Sequence, residues 1–177
     1  GIALPAEIER RLARLLSIFV AAALYLVAVY HLTNAYYADQ TAFEAFLLLG
    51  RDGGTHFALL FWAGFVLLGS VVPFALLSWP RAGPRGLRMS VAAALVVLGA
   101  FAFLYVFIIG GQAFPLEIFP GWAASSTFAD GAVAHYRPSW PELALGIGGV
   151  GAAFLLTVVG VRVLDFLPQD DLKVEAN

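Results

Sequence analysis

The chain has no cysteine among its 177 residues. It therefore forms no disulfide and, by itself, holds neither an iron–sulfur cluster nor a covalently attached c-type haem. Charge is scarce as well, because 12% of the residues are Asp, Glu, Lys or Arg, whereas a soluble domain carries about 25%. The net charge of -2 and the lack of a basic tract argue against a nucleic-acid partner.

Apolar residues make up 61% of the chain, in runs long enough to cross about 30 Å of hydrocarbon. We predict an all-α integral membrane protein, a four-transmembrane-helix bundle that forms a single membrane domain over 1–177. The predicted helices are about 12–36, 56–79, 87–111 and 141–167, with outward loops about 38–55 and 112–141. Within the first loop, 42–49 is apolar but too short to span, so it lies at the surface or packs on the bundle.

The basic residues are unevenly distributed between the two ends of the predicted helices. One side holds Arg10, Arg11, Arg14, Arg81, Arg85, Arg88, Arg162 and Lys173, whereas the other holds Arg51 and Arg137. The positive-inside rule then places both termini in the cytoplasm. We expect a multi-pass protein of a bacterial cytoplasmic (inner) membrane.

Three ionisable residues near the outward ends are candidates for proton handling: His31, His135 and Glu142. Imidazole changes its charge near physiological pH, so either histidine could exchange protons with a quinol head group. The alternative for each histidine is an interfacial side chain that caps a helix. Glu142 could equally cap the fourth helix, because a helix N-terminus stabilises a carboxylate.

Gln112 and Tyr105 are candidate contacts to a quinone ring, since an amide or a phenol can hydrogen-bond a ring carbonyl. Gln112 could instead end its helix, and Tyr105 could pack in the core. A b-type haem needs two histidines that face each other across the bundle. His31 and His56 lie on one side but neither lies well inside a helix, so we expect this chain to hold no haem.

Several short motifs follow one another along the second half of the chain. They are 109–116 (IGGQAFPL), 119–121 (FPG), 128–131 (FADG), 136–142 (YRPSWPE) and 166–168 (FLP). In this order they resemble the C-terminal half of the NrfD/PsrC family, membrane subunits of polysulfide-reductase-type complexes. The pattern is most similar to DsrP-like and HybB-like members. The match is weaker over 1–99, where 60–64 (LFWAG) and Pro73 are compatible with it.

The resemblance implies a membrane subunit of a respiratory redox complex. This subunit would exchange electrons between an iron–sulfur partner and the quinone pool, and the quinone would be menaquinone or ubiquinone. That partner would be a periplasmic four-cluster ferredoxin-like subunit, accompanied by other membrane subunits, catalytic or cytochrome subunits, and lipid. The chain would then be a non-autonomous part of a quinol/quinone oxidoreductase.

The family has two four-helix bundles or more, and this chain corresponds to the second. The quinone pocket of the family is attributed largely to the first bundle, so no family site residue is carried over.

The numbering begins at Gly1, and the single methionine is Met89, so we expect processing or a longer polypeptide. Two alternatives stay open: a non-catalytic membrane anchor half of such a complex, and a small transporter with a broken helix, for which Pro73 is the only hint.

Overall fold

The computed structural model describes residues 6–79, 85–115, 132–134 and 136–164. The described helices are α1 (Ala6–Tyr36), α2 (Thr41–Leu49), α3 (Thr55–Ser78), α4 (Gly86–Ala113) and α5 (Trp140–Val163). By length and composition, α1, α3, α4 and α5 can each cross a membrane. The predicted all-helical membrane protein with four spans is confirmed. His135 and most of the predicted loop 112–141 lie outside the described residues.

The first helix begins at Ala6, earlier than the predicted start near residue 12. Its first turns carry Glu7 and Arg11, whose side chains pair at 2.6 Å one turn apart. Acidic residues in a first turn and such pairs favour a helix that continues into water. The apolar run therefore marks the spanning part of α1, and the helix extends beyond it.

The connection predicted as a loop over 38–55 is largely helical. Two short 3-10 turns, Ala38–Gln40 and Arg51–Gly53, flank α2. Helix α2 buries Phe46 and Leu47, and it ends at Gly50, whose φ of +69° is the left-handed conformation that glycine adopts readily. Helix α2 therefore packs on the other helices, where its large apolar side chains are buried. This is one of the two alternatives left open by the sequence.

Helices α3 and α4 cross at a pair of glycines. A Cβ built on Gly69 would lie 2.5 Å from the Cα of Gly99, and one on Gly99 would lie 2.3 Å from the Cα of Gly69. Close to this crossing, Gly64 faces the methyl group of Ala102. Small residues of this kind let two backbones approach closely in lipid, where no hydrophobic force drives helices together.

Two stretches of these helices are wound as π-helix, Leu60–Val71 in α3 and Val106–Gly110 in α4. The hydroxyl of Ser70 donates to the carbonyl of Phe65, five residues earlier, at 2.9 Å. The α3 stretch ends just before Pro73, which has no N–H to donate to the preceding turn. Such widened turns are frequent at functional sites.

The core lies where α2 meets α3 and α4. Its buried members are Phe46, Leu47, Phe57, Phe61, Phe65, Val106 and Ala113. The Cβ position of Gly110 lies 2.6 Å from Cδ2 of Leu47, so a side chain at 110 would force the buried Leu47 side chain to move. Because Phe46 and Leu47 belong to this core, the core holds α2 in position. The same helix carries the buried polar residue Glu44.

Helix α5 forms a separate unit with the residues around it, from Tyr136 onward. Its N-terminus is Ser139, whose backbone N–H donates to the Glu142 carboxylate at 2.8 Å. None of its side chains is buried. An apolar exterior of this kind is typical of a helix that faces lipid or another subunit.

Candidate functional site

A buried polar cluster joins the end of α1 to α2. Glu44 accepts at both carboxylate oxygens: Oε2 lies 2.7 Å from Nδ1 of His31, and Oε1 accepts from Nδ2 of Asn34 at 3.0 Å. His31 and Glu44 are 7% and 4% exposed. Burying a carboxylate costs free energy unless hydrogen bonds and a partner compensate for the lost water, and this cluster supplies both.

The local sequence explains why the three side chains meet. His31 and Asn34 are three residues apart on α1, so they project from the same face of the helix. Glu44 lies in the first turn of α2, where the helix dipole favours a negative charge. Because Phe46 and Leu47 are held in the aromatic core, Glu44 is turned towards α1 rather than towards solvent.

Aromatic rings enclose the imidazole of His31. Tyr30 and Phe61 meet it edge-on, with ring centroids at 5.1 and 5.0 Å. Tyr30 in turn contacts Phe107 at 5.7 Å. Phe61 and Phe107 belong to the two π-helical stretches. The widened turns of α3 and α4 therefore supply part of the wall around the cluster.

The second ring nitrogen of His31, Nε2, is buried and has no hydrogen-bond partner among the described residues. Since Glu44 accepts from Asn34 and pairs with His31, we assign the ring proton to Nδ1, which leaves Nε2 as a lone-pair acceptor. An unpaired buried polar atom is costly, and native structures contain few of them. A histidine held by a carboxylate with its other nitrogen free is the arrangement of a general base.

The sequence-predicted candidates lie in different places. His31 is in the cluster, whereas His135 is not among the described residues. Tyr105 packs against the core, with its ring 6.1 Å from that of Phe57. Gln112 is exposed in the last turn of α4. Their roles in proton handling or quinone binding remain predictions.

Glu142 forms a local cap at the start of α5. Its Oε2 accepts from the Tyr136 hydroxyl at 2.7 Å and from the Ser139 backbone N–H at 2.8 Å. The residue is exposed. The geometry corresponds to the capping alternative considered for Glu142, while its predicted role in proton handling is untested.

Glu44 is the residue that sequence reasoning missed. It is the single charge within the apolar stretch 42–49, and that isolation is the available signal. A short amphipathic helix that packs on a bundle with one acid on its inner side needs a partner for the acid. Asn34 and His31 share a face of the preceding helix, which could have pointed to them as the partners.

The described residues contain no group of three or more His, Cys, Asp or Glu side chains that could hold a metal ion. His56, the other described histidine, is exposed and lies against Phe57 with ring centroids 3.8 Å apart. In the cluster itself, an imidazole with one nitrogen beside a carboxylate and the other without a partner among the described residues is able to accept and release a proton.

Comparison with known proteins gives one informative relative. The chain is 28% identical over 168 residues to the Hdr-like menaquinol oxidoreductase integral membrane subunit of Archaeoglobus fulgidus, and the match covers 92% of this chain. The chain spans 42% of the length of that relative. No family model matches the chain. No solved structure matches it either.

Proposed function

We propose that this chain is part of the membrane subunit of a quinol-oxidising redox complex, in which His31 and Glu44 handle the protons of the substrate. The observation that carries the proposal is the buried His31–Glu44 pair with its free Nε2. The similarity to a menaquinol oxidoreductase subunit over nearly the whole chain supports the substrate class. The resemblance of the second half to the NrfD/PsrC family points the same way.

In the proposed step, Nε2 of His31 accepts a hydroxyl proton from the quinol. The Glu44 carboxylate, 2.7 Å from Nδ1, stabilises the imidazolium that forms, because an adjacent negative charge favours the charged ring. The imidazole releases this proton to water on the outward side before it accepts the second one, which leaves by the same route. The two electrons leave to a redox partner outside this chain. This chain itself has no cysteine to hold an iron–sulfur cluster.

The partner we propose is an iron–sulfur subunit docked on the face opposite the arginine-rich end, with both termini of this chain in the cytoplasm. Purification in mild detergent, followed by peptide mass mapping and iron analysis, tests this assignment. An iron–sulfur protein in the same complex supports it. A chain that purifies alone, without iron, contradicts it.

The proton-handling role is tested by the replacement His31→Asn. The Asn amide can donate to Glu44 from the place of Nδ1, so the buried carboxylate keeps a partner while the titratable ring is lost. We expect normal assembly and a fall of roughly 100-fold in quinol turnover, the size of a lost general base. Turnover would be measured on the purified complex with a short-chain menaquinol analogue.

The matched control is His56→Asn, which removes an exposed histidine of the same chain. We expect this variant to turn over at the wild-type rate. If His31→Asn assembles and also turns over normally, the pair serves only to hold α2 on α1. The chain would then be a non-catalytic membrane anchor. The edge-on packing of Tyr30 and Phe61 against His31 is compatible with such a structural role.

A further inference from the structure

A cavity opens at the opposite end of the helices from the His31–Glu44 cluster. It has a volume of about 480 Å³ and lies among α1, α3 and α4. Sites that take small ligands have volumes of about 300–1,000 Å³. The proposed quinol chemistry makes no use of this cavity.

The charged residues that line the cavity are mostly basic. Arg10, Arg14 and Arg88 line it together with one acid, Glu9, so the arginines outnumber the acid. Glu9 lies beside the start of α4, with its Oε1 3.4 Å from the Cβ position of Gly86. A guanidinium offers a planar set of N–H donors that suits phosphate oxygens.

Arg88 is held in place by the end of α3. Its Nη1 donates to the carbonyl of Trp79 and reaches the carbonyl of Leu76 at 3.5 Å. Its Nε is buried and has no partner among the described residues. The guanidinium is thus fixed by two backbone contacts and retains a donor that the described chain does not use.

Beyond the charged residues the lining of the cavity is mostly apolar, with Ser17 and Ser78 as its uncharged polar members. Its apolar members include Ile18 and Ala21 of α1 and Phe74 and Leu77 of α3. From Glu9 to Ala21 the lining follows α1 for about 18 Å at 1.5 Å per residue. An anionic head group with a long apolar chain would match the charge and the apolar part of this lining.

We propose that this cavity binds an anionic phospholipid, with the phosphodiester at Arg10, Arg14 and Arg88 and an acyl chain along Ile18, Ala21 and Phe74. Basic pockets between transmembrane helices bind anionic lipid head groups for the same electrostatic reason. The phosphate chemistry is shared with free inorganic phosphate, but the apolar wall favours the lipid.

The test is retention of phosphatidylglycerol by the complex purified in detergent, measured by native mass spectrometry and by the Tm on lipid addition. Arg14→Gln removes one cavity arginine, and we expect the affinity for phosphatidylglycerol to fall about fivefold. The matched control is Arg11→Gln, which removes the same charge from the neighbouring exposed position, where Arg11 pairs with Glu7 outside the cavity. We expect its affinity to stay within about twofold of wild type.

A second variant tests the apolar part. Ala21→Phe fills the cavity without changing the charge, and we expect it to lose bound lipid while quinol turnover persists. Equal losses of phosphatidylglycerol affinity in Arg11→Gln and Arg14→Gln would contradict a defined site and indicate attraction to diffuse surface charge. Unchanged lipid retention in Ala21→Phe would also contradict the proposal. Inorganic phosphate that raises the Tm as much as phosphatidylglycerol would assign the arginines to a free anion, and phosphatidylcholine that binds equally well would exclude selection for an anionic lipid.

Discussion

Glu44 and Glu142 are two carboxylates with closely similar hydrogen bonding and different surroundings. Each lies in the first turn of a helix, and each accepts two hydrogen bonds, at 2.7 and 3.0 Å for Glu44 and at 2.7 and 2.8 Å for Glu142. The partners of Glu142 are three and six residues away in the chain. The partners of Glu44 are 10 and 13 residues away, on another helix.

Burial separates the two residues further. Glu44 is 4% exposed, whereas Glu142 is exposed. Water can replace any hydrogen bond that Glu142 loses, but it cannot easily reach Glu44. A carboxylate that caps its own helix contributes locally, whereas the buried Glu44 joins α2 to α1 through His31 and Asn34. The following predictions test whether this difference governs stability and turnover.

The largest effect is expected for Glu44→Ala. This change leaves Nδ1 of the buried His31 and Nδ2 of the half-buried Asn34 without their acceptor, and it opens a void. Removing one member of a buried pair costs on the order of 3 kcal/mol, so we expect low yield and a lowered Tm in detergent. Glu142→Ala is the comparison, and we expect it to keep nearly the wild-type Tm. Equal Tm values for the two variants would contradict the account.

Glu44→Gln retains the size of the side chain and loses its charge. We expect the protein to assemble, with a loss of about 1 kcal/mol in the free energy of unfolding. Quinol turnover should nevertheless fall by at least about tenfold, because a neutral amide does not stabilise the imidazolium as a carboxylate does. Turnover per assembled complex is the quantity to measure. A wild-type rate would show that the charge of Glu44 has no part in proton transfer.

Asn34→Ala removes the donor to Oε1 of Glu44 and leaves the contact with His31 in place. Asn34 is partly exposed, so water can take over part of the lost hydrogen bond. We expect a loss of about 1 kcal/mol in stability and a smaller fall in turnover than for Glu44→Gln. Thermal unfolding in detergent and quinol turnover check the two parts. A loss that matches Glu44→Ala would mean that Asn34, not His31, is the essential partner.

The smallest effect is expected for Glu142→Gln. Glutamine can also accept the Ser139 N–H, as the capping box allows, so α5 keeps its cap. We expect normal assembly and a smaller fall in turnover than Glu44→Gln produces. Quinol turnover of Glu142→Gln and Glu44→Gln, measured side by side, shows which of the two carboxylates takes part in proton transfer. A fall for Glu142→Gln that equals the Glu44→Gln effect would assign Glu142 to the proton path as well.

The comparison also explains which parts of this protein could be predicted from its sequence. The four spanning helices follow from the length and composition of their apolar runs. The cap by Glu142 follows from residues that lie within one turn of each other. Both features depend on neighbours along the chain, which the sequence displays directly.

The tertiary contacts could not be derived in the same way. The Gly69–Gly99 crossing pairs two of the chain's 18 glycines, and no local rule selects that pair. The inward position of Glu44 depends on how Phe46 and Leu47 enter the aromatic core. The chemistry of imidazole marks His31 as a candidate, but the sequence does not show that Glu44 is its partner, because that contact depends on where α2 packs.

The central claim is that the His31 ring takes up the proton of the quinol. The most direct test is infrared difference spectroscopy of the complex as the quinol is oxidised, with ring-labelled histidine to identify imidazole bands. We predict an imidazolium band that appears on oxidation, persists in His56→Asn and is absent in His31→Asn. The same band in assembled His31→Asn complex would contradict the claim and assign the proton to another group.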